Sequence, residues 1–254
     1  MGVVVTLTML LAIQAGQAVD PVPAAPAPAT DQAKPLVPFP HPLITEVLFA
    51  VPTSGGDANK DGTRHATGDE FIEITNPHAD AINLAGYRLL DRHRGEEGRF
   101  AFTFPDIMLK PGQTVVVFNG LEAKWTGPVG DTHRAPPGPN PLFEGAFIFT
   151  AGVRSKFMAL ANTTDFVLLE NALGVPVQVV VWGEPDQAPP AEAFHTDTIS
   201  IVEYASVQRT SAAGPMVAHT RIELAQRAKC SPGVAFPKPP ELSETEANPV
   251  DAPE

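Results

Sequence analysis

One cysteine, Cys230, is present in 254 residues, so no intrachain disulfide can form and any fold must be held by its own apolar core. Tryptophan and tyrosine are scarce, two of each, and fourteen phenylalanines carry most of the aromatic content. Basic residues are outnumbered: 17 Lys and Arg against 29 Asp and Glu leave a formal charge of −12, which argues against nucleic acid as a partner. No apolar run reaches the roughly 20 residues that a bilayer-spanning helix needs. The Gly-x-Ser-x-Gly elbow, the phosphate-binding loop, the dinucleotide fingerprint and any His-x-x-x-His pair are also missing. Sustained helical spacing is absent apart from a weak turn or two near Arg221 to Arg227.

What is present divides the chain into four parts. Val3 to Ile13 is an apolar run of signal-peptide length, and Gly16-Gln17-Ala18 places small residues where a signal peptidase reads. Residues 1–18 are therefore expected to be a signal peptide, although no basic residue precedes the run and a buried N-terminal strand is the alternative. Export would place the protein in the periplasm, at the cell surface or outside the cell. Residues 19–42 form an Ala/Pro-rich linker, expected to be an extended tether. Residues 235–254 hold five acids, one lysine and several prolines without apolar periodicity, and are expected to be disordered. The folded domain is then residues 43–234.

Within it, short apolar runs of strand length follow one another between turn formers. Leu43 to Val51 opens the series, and a Gly/Asp/Asn loop, Thr53 to Gly68, comes next. Glu70 to Thr75 puts Phe71, Glu73 and Thr75 on one face and Glu70, Ile72 and Ile74 on the other. Asn76-Pro77 breaks this strand, and Ile82, Leu84, Tyr87 and Leu89 resume the pattern around Gly86. His93 to Arg99 reads as a charged hairpin loop, and Phe100, Phe102 and Phe104 as an aromatic-faced strand. Thr114 to Phe118 is β-branched and apolar, as a central strand requires. Asn119 to Pro141 is long, rich in Pro and Gly, and of a length that marks a functional or mobile loop. Four more strands are expected at Gly145 to Thr150, Phe157 to Leu160, Phe166 to Glu170 and Val175 to Trp182, a last strand or pair at Ile199 to Gln208, and irregular chain from Ser211 to Ala228. The fold class is all-β.

These segments, in this order, resemble the lamin-tail domain family as it occurs in exported bacterial proteins. The resemblance is carried by Ile44-Thr45-Glu46-Val47, by Asp69-Glu70-Phe71-Ile72-Glu73-Ile74-x-Asn76-Pro77, and by Leu84-x-Gly86-Tyr87-x-Leu89-x-Asp91. Further on it rests on Leu109-x-Pro111-Gly112, Asp165-Phe166-Val167-Leu168-Leu169, Ser206-Val207-Gln208-Arg209 and the closing Ser231-Pro232-Gly233. It implies an immunoglobulin-like antiparallel β-sandwich, here with loops after Asn119 and Gly183 longer than is typical of the family and between flanks that composition marks as disordered. It also implies a non-catalytic adhesion, surface or enzyme-accessory module with a protein or glycan partner.

The sharpest chemical motif is Asp57-Ala58-Asn59-Lys60-Asp61-Gly62, with oxygen-bearing side chains at alternate positions and a glycine for the sharp turn, which suits Ca²⁺. The twelfth position, where a calcium loop of this type carries an acid, is Gly68; Asp69 and Glu70 follow it. The stretch is either a calcium site of Asp57, Asn59 and Asp61 closed by Asp69 or Glu70, or a solvated turn. Glu46, Glu70 and Glu73 invite a paired-carboxylate reading, but Glu70 and Glu73 point to opposite faces of one strand and Glu46 is expected on a neighbouring strand facing solvent. The seven histidines are all expected in exposed loops. Asp131-x-His133 and His195-x-Asp197 each offer two zinc ligands where three or four are needed. The alternative to a binding module is a metal-dependent hydrolase combining the Asp57 loop with His133 or His195. Cys230, in its Ser-Pro-Gly context, reads as structural.

Overall fold

The computed structural model describes residues 34–91, 101–151, 158, 160–200, 203–222 and 228–236. The expected signal peptide, most of the linker, the loop at 93–99, half of the strand at 157–160 and the tail from 237 lie outside them.

Among the described residues thirteen strands are formed: β1 Leu43–Leu48, β2 Phe71–Thr75, β3 Ile82–Asn83, β4 Arg88–Leu90, β5 Ala101–Thr103, β6 Met108–Leu109, β7 Thr114–Phe118, β8 Phe147–Thr150, β9 Asp165–Glu170, β10 Pro176–Trp182, β11 His195–Ile199, β12 Val207–Arg209 and β13 Met216–Ala218. They make a six-stranded sheet in the order β13-β12-β1-β2-β7-β8 and a five-stranded sheet in the order β11-β10-β9-β4-β5, with β3 and β6 paired alone. Pairing is antiparallel except for β7 with β8 and β10 with β11, which are parallel. This is the all-β sandwich that the alternation required.

The alternation explains the main core. Ile72 and Ile74 of β2, Val115 and Val117 of β7 and Val47 of β1 face Val167, Leu169, Val177, Val180 and Trp182 of the other sheet. Phe49 stacks on Trp182 with ring centroids 4.2 Å apart and planes 8° apart, and the indole Nε1 donates to Ala161 O at 2.7 Å. Phe102, Phe104 and Phe149 meet edge to face, the geometry aromatic quadrupoles favour.

The sandwich has a third layer on one side. Leu48, Phe71, Val116, Phe118 and Ile148 point away from the main core, yet all are buried, in a second cluster with Phe143, Trp125, Val129 and Cys230. The loops around residues 119–146 and the C-terminal segment 228–234 therefore cover the outer face of the six-stranded sheet. This is why β2 and β7 are buried at every position.

Three expectations are corrected. Glu46 does not face solvent; it is fully buried beneath the third layer. The chain from Ser211 onward is not wholly irregular, because Met216–Ala218 pairs with β12 as β13. A strand also begins at His195, earlier than expected, because β11 is an edge strand whose exposed positions are polar.

Asn119 to Pro141 is ordered by the strands it crosses. Gly130 N donates to Ile148 O at 2.9 Å and Gly130 O accepts from Thr150 N at 3.0 Å, so Gly130 pairs with β8. Two residues on, the Thr132 hydroxyl donates to Thr103 O at 2.8 Å and accepts from Thr103 N at 3.3 Å, on β5 of the other sheet. Asn140 pins the far end, its Nδ2 donating to Thr126 O and Pro128 O and its Oδ1 accepting from Leu142 N. At the opposite margin, buried Arg209 of β12 pairs with Asp197 of β11 and closes the sandwich there.

Candidate functional site

The Asp57 loop folds on its own side chains. Asp57 Oδ1 and Asn59 Oδ1 both accept from Asp61 N, at 3.2 and 3.0 Å, Asp57 Oδ2 accepts from Gly62 N at 3.0 Å, and Asp61 Oδ1 accepts from Thr63 N at 2.8 Å. Short side chains bonding a main chain two to five residues on are the turn chemistry of Asp and Asn. Asp61 Oδ2 also accepts from Lys124 N, which ties the loop to the long 119–141 segment. Asp69 closes the base: its Oδ1 accepts from Asn59 N at 2.9 Å and its Oδ2 from His65 N at 2.6 Å. Burial pushes its carboxyl up, against those backbone donors.

The five candidate calcium residues are thus split. Asp57, Asn59, Asp61 and Asp69 are gathered by one loop. Glu70 turns the other way; its Oε2 accepts from Leu160 N at 3.1 Å, and burial pushes its carboxyl up to about 9. The glycine at the twelfth position has a packing reason, because a Cβ on Gly68 would sit 2.3 Å from Leu121 O. The oxygens of Asp57, Asn59 and Asp61 each hold one backbone N–H and keep a lone pair free, a donor chemistry that fits a hard cation. No lysine or arginine side chain pairs with these three side chains among the described residues: Lys60 Nζ donates instead to Leu142 O and lies 4.8 Å above the Phe143 ring. As they stand, no three His, Cys, Asp or Glu side chains among the described residues lie close enough to hold an ion.

Beside the loop is a cleft of ≈ 380 Å³ lined by Asp57, Lys60, Lys229, Cys230 and their neighbours. Neither His133 nor His195 lines it. His133 sits in a turn whose Asp131 Oδ1 accepts from the His133 and Arg134 backbone. His195 is in β11, its Nε2 3.1 Å from Asp197 Oδ1. His219, expected in an exposed loop, is fully buried: its Nδ1 donates to Ala228 O, its Nε2 lies 2.9 Å from Ser231 Oγ, and burial lowers its pKa. His93 lies outside the described residues. Burial also pushes the Cys230 thiol up, away from thiolate chemistry.

The carboxylate pair that does form is Glu46 with Glu73, directly opposite on β1 and β2. Both are fully buried. Glu46 Oε1 accepts from Ser231 N at 2.9 Å and from Ser206 Oγ, and Oε2 from Ser231 Oγ at 3.2 Å. Glu73 Oε2 accepts from Gly233 N at 2.7 Å and Oε1 from Thr45 Oγ1 at 2.7 Å. Burial raises both carboxyls, and the charge of Glu46 raises Glu73 further. Local spacing could not disclose this arrangement, because it depends on strand register and on a segment about 160 residues away. The only signal in the sequence is the Ser231-Pro232-Gly233 triplet, which resembles the closing triplet of the family.

A family model described as Lamin Tail Domain matches residues 42–184, just over half of the chain. No curated protein matches significantly.

Proposed function

Since the chain belongs to the lamin tail domain family, we propose that it works as an exported module of bacterial type that performs no catalysis and binds a protein or glycan, or serves as a structural part, at the cell surface or in the envelope. One observation carries the non-catalytic reading. The carboxylates of the signature strands, Glu46, Glu70 and Glu73, are buried and accept from backbone N–H groups, so they hold the fold together instead of lining the cleft. Export is supported by the apolar run Val3 to Ile13, the small residues Gly16-Gln17-Ala18 and the Ala/Pro stretch that follows. Binding falls to the loops, as is usual for a sandwich scaffold. Purified protein should give no turnover on ester, phosphate and glycoside panels. Robust turnover abolished by a single side-chain change would overturn the reading.

A second reading concerns calcium. The convergence of Asp57 Oδ1 and Asn59 Oδ1 on one N–H, next to Asp61 and without a cationic side chain, favours a Ca²⁺ held by Asp57, Asn59 and Asp61 with backbone or water oxygens, and Asp69 bracing the loop. Thermal melts with Ca²⁺ and with chelator test it. Binding should raise Tm by several degrees by mass action, and Asp61→Ala should abolish the rise. An equal melt in both buffers removes calcium from the account.

A further inference from the structure

We propose that Glu46 and Glu73 form a proton-dependent clasp that fastens residues 228–234 over the outer face of the six-stranded sheet, closed while the pair holds a proton and opened when both carboxylates ionise.

The geometry supplies the argument. Glu46 and Glu73 are register partners on adjacent antiparallel strands, where facing Cβ atoms are about 4.5–5.5 Å apart. Every hydrogen bond to the pair is a neutral one. From the covering segment come Ser231 N, Ser231 Oγ and Gly233 N, and from the sheet come Ser206 Oγ, Gln208 Nε2 and Thr45 Oγ1. No lysine or arginine bonds either carboxylate among the described residues. Two buried like charges without a cation repel and lack hydration, so ionising both requires that water reach them. β1 and β2 cannot part to admit it, because each is paired on both sides. The segment 228–234 can lift, because it joins no sheet and is held by side chains and a few backbone bonds, among them Ser206 N to Lys229 O, Gln208 Nε2 to Val234 O and His219 Nδ1 to Ala228 O.

The surrounding charged and titratable groups are few. The covering segment brings Lys229, which acts on Glu203, and Cys230, which feels Glu46, Asp69, Lys60 and Asp57. The chain after β13 brings His219, bonded to Ser231 Oγ. On the sheet, Thr75 and Thr114 continue a hydroxyl chain from Thr45 and do not titrate.

The sign follows from linkage. Burial holds Glu46 at about 7 and raises Glu73 well above its ordinary 4.5. The clasp is therefore fully stable below the ordinary glutamate range and weakens as pH rises through the closed-state values. His219 acts oppositely: burial lowers it from 6.5, so lifting the segment lets it take up a proton only in acid. Above pH 6.5 the glutamates act alone.

Cys230 is the only thiol and lies inside the segment, so maleimide labelling of the full chain, normalised at each pH to the denatured chain, reads the opening. Between pH 6.5 and 8.5 the normalised rate should rise with pH, by at most about tenfold per pH unit for each carboxyl still protonated in the closed state. Glu73→Gln, which keeps the shape and cannot ionise, should reduce the rise to a few-fold. A flat profile in the natural protein, or an undiminished rise in Glu73→Gln, overturns the proposal. Should that variant not fold, amide exchange at Ser231 and Gly233 in the natural protein, corrected for base catalysis, decides over the same range: pH-independent protection overturns the clasp.

Discussion

Asp197 and Arg209 provide the most demanding test of how the sandwich is closed. Arg209 is fully buried, and its guanidinium donates to Ile44 O at 3.3 Å, to Gly214 O at 2.6 Å and to Asp197 Oδ2. Asp197 also accepts from Gln178 Nε2 at 2.9 Å and faces His195 Nε2 at 3.1 Å. The partners are therefore unequal. With Asp197→Ala the guanidinium keeps two carbonyls but no counter-charge, and it cannot shed its proton. Stranding a buried charge in this way costs about 3–5 kcal/mol. With Arg209→Met, Asp197 keeps its bond from Gln178 and the contact with partly exposed His195, so the cost falls to about 2–3 kcal/mol. Replacing both, as Arg209→Met with Asp197→Leu, should cost no more than Arg209→Met alone, since an apolar pair leaves no stranded charge. Urea unfolding at pH 7 measures all three. In a thermal melt Asp197→Ala should lower Tm by roughly 6–20 °C, at about 2–4 °C per kcal/mol for a domain of this size. A loss under about 1 kcal/mol for Asp197→Ala, or Arg209→Met costing more than Asp197→Ala, would refute the argument.

Three other changes probe separate layers. Phe49→Ala removes the ring stacked on Trp182 and should cost about 3–5 kcal/mol in urea unfolding, with a shifted tryptophan emission. Asn140→Ala deletes three hydrogen bonds that pin the long segment and should cost about 2–4 kcal/mol; limited proteolysis should then cut within residues 119–141, and an unchanged digest would contradict that role. Gly233→Ala puts a Cβ 2.3 Å from Phe143 O at a φ of +100°, so it should cost roughly 1–3 kcal/mol and speed Cys230 labelling even at pH 6.

How far the sequence discloses the molecule depends on the length and polarity of each element. Thr114 to Phe118 is legible residue for residue, because five strand-formers follow a Pro-Gly turn and are buried on both faces. His195–Ile199 is hidden by its composition, since an edge strand with exposed Thr196 and Thr198 looks like loop. Met216–Ala218 is too short for alternation to show. Glu46 misleads for a different reason. Reading a carboxylate on a strand as solvent-facing assumes two layers, and here a third layer, assembled from chain far away in sequence, covers the outer face. The Asp57 loop is legible as a turn of oxygen donors; that Glu70 would turn from it towards Leu160 depends on packing alone.

The path of Gly130 to Thr132 bears on association between molecules. A strand at the margin of a sheet offers unpaired N–H and C=O groups to any extended neighbour, the usual route to runaway growth. Here one segment occupies β8 of one sheet through Gly130 and β5 of the other through Thr132, while Asp197 of β11 joins Arg209 of β12, one strand in from the edge strand β13. Another copy cannot lengthen either sheet at β8 or β5 without first displacing that strap. Growth at those two edges should therefore await the loss of two hydrogen bonds at Thr103.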